Sequence, residues 1–378
     1  MTLSCLIGKK MSSICAAGLL PMAAVGLFIA GSVAADEGLP TIAKDWVQIT
    51  AYTFNVYHKN FDVWSWVPRA EFRVNGPIAS GSQLYAEFDI PGGEPIKFDC
   101  KTGEVKAGHS WKTDCGAHDV PEDKGTTYTG VVNFSIRMRN ALNGGDMTLF
   151  AGKMKVLKVH SNEHGPKFAN HFVYYVDQDW NLPIGYIYLT TGAQADAKHS
   201  QFNAAFWYRG EGGGFEPHLM LAGKEVGKIT AANMEVGKAS CSTMEVEDQP
   251  THFVEDAMAQ KAKWTRIVCN FPNVQSSNKD GNNPPIPGQV GSVHYLSENP
   301  GEYEIKVLWK GQLARSIKFT VRPDGKFDNG IAGENKLGSH RTIVPVQIIG
   351  AQDGQWDHNA WKTDAFYGNP PTGFTAAQ

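Results

Sequence analysis

His160-Ser161-Asn162-Glu163-His164 has the H-x-x-E-H spacing with which a helix sets two histidines toward zinc and a glutamate beside the metal-bound water. Its surroundings argue against that use. Residues 153–159 alternate apolar and polar side chains as a strand does, and Gly165-Pro166 follows at once, so a helix there is only a turn long. What remains is a looser surface site in which His160, His164 and His171 would hold zinc. Gly108-His109-Ser110-Trp111 begins like a nucleophile elbow, but Lys112 stands where the second glycine is required. The acid pairs Asp177 with Asp179 and Asp353 with Asp357 have spacings that suit calcium or an acid–base pair. Their contexts, Asp-Gln-Asp-Trp-Asn and Asp-Gly-Gln-Trp-Asp, read instead as turns in which Asp and Asn bond the backbone. Glycine-rich residues 211–215 lack the Lys-Ser/Thr of a phosphate loop. No catalytic residue is assigned, and no cofactor is expected; calcium and zinc are the metals these residues would admit.

The aromatic residues carry the stronger functional signal. Trp64 and Trp66 share one face of a strand by alternation, and Trp180, Trp207, Tyr208 and Trp356 stand near turns and acids. An exposed indole is a flat apolar platform whose N–H still hydrogen-bonds, which suits a sugar ring or a protein partner. The opposing expectation is that large aromatics are mostly core.

These residues must be placed by elements that an oxidising compartment allows to be cross-linked. Lys9 and Lys10, an apolar run over 14–30 and the small residues Ser32 to Ala35 form the three parts of a secretory signal, cleaved after Ala34 or Ala35. Its loss removes two lysines and no acid, taking the formal charge from −3 to −5, which disfavours a nucleic-acid partner. No later stretch is long and apolar enough to span a bilayer. Cys5 and Cys15 leave with the signal, so Cys100, Cys115, Cys241 and Cys269 remain to form disulfides.

A repeat selects the pairing. F-D-C-K-T-G-E-V at 98–105 and A-S-C-S-T-M-E-V at 239–246 share C-x-T-x-E-V, and each is followed by a second cysteine, a pair of alternating strands and a Trp beside acids. A period of about 140 to 150 residues marks a duplicated domain rather than a solenoid. Cys100 is therefore paired with Cys115, and Cys241 with Cys269.

Residues 69–74, 83–88 and 132–138 alternate as strands with one wet and one buried face, and so do Tyr303, Ile305, Val307 and Trp309 through Lys310-Gly311 to Ile317, Phe319 and Val321. Residues 253–263 are the best candidate for a short helix. Residues 190–200 read as a linker, and 271–289 carry Asn, Pro and Gly too densely for a core strand. The run Asn299 to Val321, N-P-G-E-Y-E-I-K-V-L-W-K-G-Q-L-A-R-S-I-K-F-T-V, resembles the closing hairpin of Ig-like and filamin-type extracellular β-sandwich domains. That resemblance implies architecture and no activity. The expectation is an all-β chain: a signal peptide over 1–35, then two tandem β-sandwich domains over 36–195 and 196–378, each with one disulfide. It describes a secreted or periplasmic, cell-envelope protein that binds polysaccharide or an envelope protein, or serves structurally, without catalysis. The second reading is a secreted hydrolase or metal-dependent enzyme acting on extracellular polymer.

Overall fold

Alternation of apolar and polar residues drives most of the described chain into strands, since each strand so patterned has one face that must be covered. A computed structural model of the protein describes residues 38–58, 61–116, 124–160, 172–191, 200–210, 213–229, 240–245, 264–276, 293–328, 331, 341–352 and 354–378. The expected signal segment, the helix expected over 253–263, linker residues 192–199, His164 and His171 lie outside them.

The first half contains β1 (Thr41–Ile42), β2 (Gln48–His58), β3 (Phe61–Asn75), β4 (Gln83–Asp89), β5 (Ile96–Asp99), β6 (Ser110–Cys115), β7 (Gly130–Arg139), β8 (Asp146–His160) and β9 (Phe172–Val176). β3 pairs with β1, β2 and β6 in one antiparallel sheet, and β5-β4-β7-β8-β9 forms a second. The expected alternation holds. Ala70, Phe72 and Val74 of β3 share one core with Leu84, Ala86 and Phe88 of β4 and with Val132, Phe134, Ile136 and Met138 of β7. The Tyr174 N–H donates to Thr53 Oγ1 at 2.8 Å, joining the two layers of this sandwich.

The second half contains β10 (Ile184–Thr191), β11 (Ser200–Arg209), β12 (Phe215–Leu221), β13 (Lys224–Lys228), β14 (Ser240–Glu245), β15 (Trp264–Gln275), β16 (His294–Tyr295), β17 (Gly301–Trp309), β18 (Gln312–Val321), β19 (Phe327–Asp328) and β20 (Thr342–Ile348). They follow one path, β13-β12-β17-β18-β20-β10-β11-β15-β14, with β16 on β15 and β19 on β18. β20 turns the corner: residues 342–345 pair with β10 and residues 346–348 with β18. Pro345, which has no N–H to give, sits at the changeover. Gly185 is needed beside it, because a Cβ there would lie 2.7 Å from Val346 Cγ2. The two wings close on a core that includes Phe202, Phe206, Phe271, Ile305, Ile317 and Phe319. At the β17–β18 turn Lys310 (φ 50°) and Gly311 (φ 77°) both take the positive φ that a tight hairpin of this kind requires.

One expected loop is corrected. Phe271, Val274 and Gln275 are fully buried and residues 271–275 belong to β15, because β11 and the second core cover a segment whose composition alone reads as a loop. The boundary expected at residue 195 falls between β10 and β11, which pair from Tyr186 with Ala205 to Thr191 with Ser200. After β20 the chain returns to the first core through α1 (Ala360–Thr363) and α2 (Ala365–Gly368), burying Ala365, Phe366 and Tyr367 there. Phe366 and Tyr367 have φ of 48° and 59°, a left-handed conformation that packing must hold against strain. Tyr367 Oη accepts from the Ile49 N–H at 2.8 Å, and its ring meets Phe134 edge-on. Residues 38–378 thus form one compact unit in which β10, β11 and β20 give residues to both cores and the last segment packs on the first. No helix among the described residues is long and apolar enough to cross a membrane.

Both expected disulfides are present. Cys100–Cys115 and Cys241–Cys269 each join residues directly opposite across an antiparallel pair, with Cα atoms 4.1 Å apart. They span 15 and 28 residues. Loop-closure entropy assigns about 3 and 3.5 kcal/mol to such bridges. Reduction is expected to lower the thermal midpoint, and the double variants Cys100→Ser/Cys115→Ser and Cys241→Ser/Cys269→Ser should each lower it separately. An unchanged midpoint in either would show that bridge to be without effect on stability.

Candidate functional site

The loop from β20 to α1 is held by two buried charges, one at each end. At its start Arg315, fully buried on β18, donates from Nη1 to the carbonyls of Ala314 (2.8 Å) and Gly350, and from Nη2 to Ala351 O (3.2 Å) and Gln352 Oε1 (2.6 Å). Burial pulls the Arg315 pKa down to about 10, which still leaves it charged at neutral pH. At the far end Asp179, in a buried 3-10 turn over Asp179–Asn181, accepts the Asp357 N–H at 2.8 Å. The same carboxylate accepts from Trp264 Nε1 at 3.0 Å and from Arg209 at 3.2 Å, while Arg209 also donates to Gln355 O. Burial raises the Asp179 pKa, against the Asp357 N–H and Arg209, which favour the charged form.

Between these anchors the loop presents Trp356 and His358 with their ring centroids 3.9 Å apart and planes inclined at 30°. Trp356 also packs on the small buried cluster of Leu182, Trp207 and Trp264. Beyond it, on α1, Trp361 lies edge-on to Phe374, and Lys362 Nζ donates to Asn359 Oδ1 at 2.7 Å. Trp356, His358, Asn359, Trp361, Lys362 and Gln352 line a groove of about 830 Å³, closed on one side by residues 375–378. That volume lies within the range of small-ligand sites, roughly 300–1,000 Å³. The groove offers flat rings beside amide and ammonium donors, and no acidic side chain is among the described residues lining it.

The sequence placed six aromatics as platform candidates, and the structure separates them. Trp66 is fully buried and donates from Nε1 to Tyr128 O at 2.8 Å, and Trp180, Trp207 and Tyr208 are also buried. Trp64 is half-buried against the first core. Only Trp356 of the six reaches the groove. The reason is visible in strand parity: Trp64 and Trp66 share the face of Ala70, Phe72 and Val74, which is the core face. β11 is covered on both sides, so Trp207 and Tyr208, one on each face, are both enclosed. Of the three histidines, His160 lies at the exposed end of β8 with its ring edge-on to Phe172, at 5.5 Å; His164 and His171 are outside the described residues. Among the described residues no three His, Cys, Asp or Glu side chains are grouped as a metal site requires. His358, Arg315 and Arg209 were not singled out. The signal for His358 lay in Trp356-Asp-His-Asn-Ala-Trp361, whose spacing sets rings on both sides of one short turn.

No family model matches the chain, and no curated protein does so. The site therefore rests on its own geometry.

Proposed function

We propose that this is an exported protein of the cell envelope or extracellular space that binds polysaccharide in the Trp356–Trp361 groove and does no chemistry on it. The observation that carries this reading is the half-buried Trp356 held against His358 by a loop whose two ends are fixed by buried charges. A platform ordered before the ligand arrives loses little conformational freedom on binding. The two disulfides support export. Within this reading the halves are diverged copies of an Ig-like sandwich; the matching placement of the bridges and the β17–β18 hairpin support the kinship.

The test is titration of the purified protein with a panel of soluble neutral and acidic polysaccharides, with and without calcium and zinc, followed by tryptophan fluorescence. A saturable shift is expected with at least one polymer in the absence of metal. Trp356→Ala should weaken it by roughly tenfold or more, as loss of a central aromatic anchor does. Trp111→Ala removes an indole that is 48% exposed on β6 and does not line the groove, and should leave affinity unchanged. No response to any polymer would overturn the reading, and shortening of the polymer would replace it with the hydrolase.

A further inference from the structure

The wall of the Trp356–Trp361 groove uses its hydrogen-bond acceptors internally and keeps its donors. Gln352 Oε1 accepts from Arg315 Nη2 at 2.6 Å, and Asn359 Oδ1 accepts from Lys362 Nζ at 2.7 Å. Arginine and lysine are donors only, so neither amide can be turned round, and each is left with its NH2 group. Gln352 Nε2 has no acceptor in the protein. The backbone oxygens follow the same rule. The carbonyls of Gly350 and Ala351 accept from Arg315, and that of Asn359 accepts the Lys362 N–H at 2.9 Å. Each of these acceptors belongs to a residue that lines the groove.

The charge of the wall points the same way. Lys362 brings a full positive charge, and its ammonium lies 5.7 Å from the centroid of the Trp361 ring. Its hydrogen bond to Asn359 is to a neutral amide, so the charge itself is left unmatched there. The neighbouring acids are engaged elsewhere. Asp357 Oδ1 accepts the Asn359 N–H at 2.8 Å, Asp364 is ion-paired with Lys153 at 3.0 Å, and Asp179 is buried. None of these three lines the groove. The whole chain carries a formal charge of −3, but exposed charges more than about 8 Å away are largely screened at physiological salt.

Resting on the polysaccharide reading of this groove, we propose that its ligand is an acidic polysaccharide, a polyuronate. The sugar rings lie on Trp356 and Trp361, and the carboxylates take the Lys362 ammonium and the Asn359 amide N–H groups. A neutral sugar brings hydroxyls, which are donors as well as acceptors, and the oxygens that would take their protons are already engaged. A carboxylate is an acceptor alone, and charge-assisted hydrogen bonds are roughly twice as strong as neutral ones. On a uronate the carboxylate stands at the edge of the ring. A ring stacked flat on an indole therefore carries it to residues 359 and 362, which sit on the one short turn that opens α1. The groove, at about 830 Å³, has room for more than one such ring.

The experiment is calorimetric titration of the purified protein, at physiological salt, with polygalacturonate, the same polymer fully methyl-esterified, and dextran sulfate. Esterification keeps the backbone and removes the charge. Polygalacturonate is expected to bind at least about tenfold more tightly than its ester, with Trp356→Ala abolishing the binding. Lys362→Gln should bring the two polymers to within about threefold of each other, and Lys362→Arg should keep the preference. Asn359→Asp, which sets a carboxylate beside the ammonium, should remove the preference as well and serves if the Lys362 variant fails to fold. The inference is overturned, and the groove reading left standing, if polygalacturonate binds no more tightly than a neutral polymer whose binding requires Trp356. Dextran sulfate that binds as tightly through Trp356 overturns the choice of carboxylate. A preference that survives both Lys362→Gln and Asn359→Asp places the charge recognition elsewhere and overturns the inference too. No binding of any polymer, neutral or acidic, overturns both readings.

Discussion

Asp179→Ala is expected to destabilise the protein by about 3–5 kcal/mol, the range found when one partner of a buried ion pair is removed. For a unit of this size that corresponds to a fall of roughly 4–7 °C in the thermal midpoint. The loss arises from what is left behind. Arg209 loses its carboxylate, the Trp264 indole N–H loses its acceptor, and the Asp357 N–H is released, all in a region where Asp179 is 5% exposed. Because the Asp357 bond fixes the loop next to Trp356, polysaccharide affinity should fall with stability. Thermal unfolding together with fluorescence titration checks both; a variant with wild-type stability would show that the three groups rearrange without penalty.

Asp179→Asn separates the hydrogen bonds from the charge. The amide oxygen can still accept from Trp264 or from Asp357, which bond different carboxylate oxygens, so the change keeps one bond that the alanine variant loses and should cost less. Its pH dependence follows from the direction of the pKa. Burial raises the folded-state pKa of Asp179 above its unfolded value, so protonation favours the fold. The stability linked to this group is fully present below the unfolded pKa and is lost as pH rises through the folded one. The asparagine variant lacks that dependence. Relative to the wild type it should be at its worst in acid and improve as pH rises from about 4 into the range above it. A stability difference that is flat with pH would contradict the assignment.

The parts of this molecule legible in the sequence are those decided by local pattern. The alternation of Val132, Phe134, Ile136 and Met138 specifies a strand with a buried face whatever lies opposite, and Lys310-Gly311 between two such runs specifies the hairpin. The cysteine pairing was legible because C-x-T-x-E-V occurs in both halves, each time ahead of a second cysteine. Residues 271–275 show the reverse case. Their Asn, Pro and Gln suggest a loop, and only the neighbouring β11 and the second core make them a buried strand. The candidate site was half visible: Trp356 beside an acid stood out, whereas the buried charges that order its loop come from residues 315, 209 and 179, distant in sequence and unremarkable alone. Asp177 to Asn181 read as a surface turn because its composition is that of one. It is instead enclosed, since α1 and α2 return the end of the chain to the first core and cover it.

Arg315→Met tests the other anchor. Methionine keeps much of the volume and removes every donor, so packing is largely retained while the carbonyls of Gly350 and Ala351 and the Gln352 side chain lose their partner. Unmet buried acceptors and lost charge-assisted bonds together are worth about 3 kcal/mol or more. Arg315→Ala adds a cavity beside Tyr208 and should be worse by a further 1 kcal/mol or so. Replacing a buried charge by an apolar side chain is sometimes neutral. That outcome arises when both members of a pair are replaced, and here the carbonyls stay. The two anchors also predict a specific combination. Arg315 holds the loop at residues 350–352 and Asp179 at residue 357, with the platform between them. Each single variant leaves one end attached, so each should weaken polysaccharide binding in part, and the double variant should lose it by more than the product of the two. Binding losses that simply multiply would show that the platform is ordered by Trp356 packing on Trp207 and Trp264 rather than by its anchored ends.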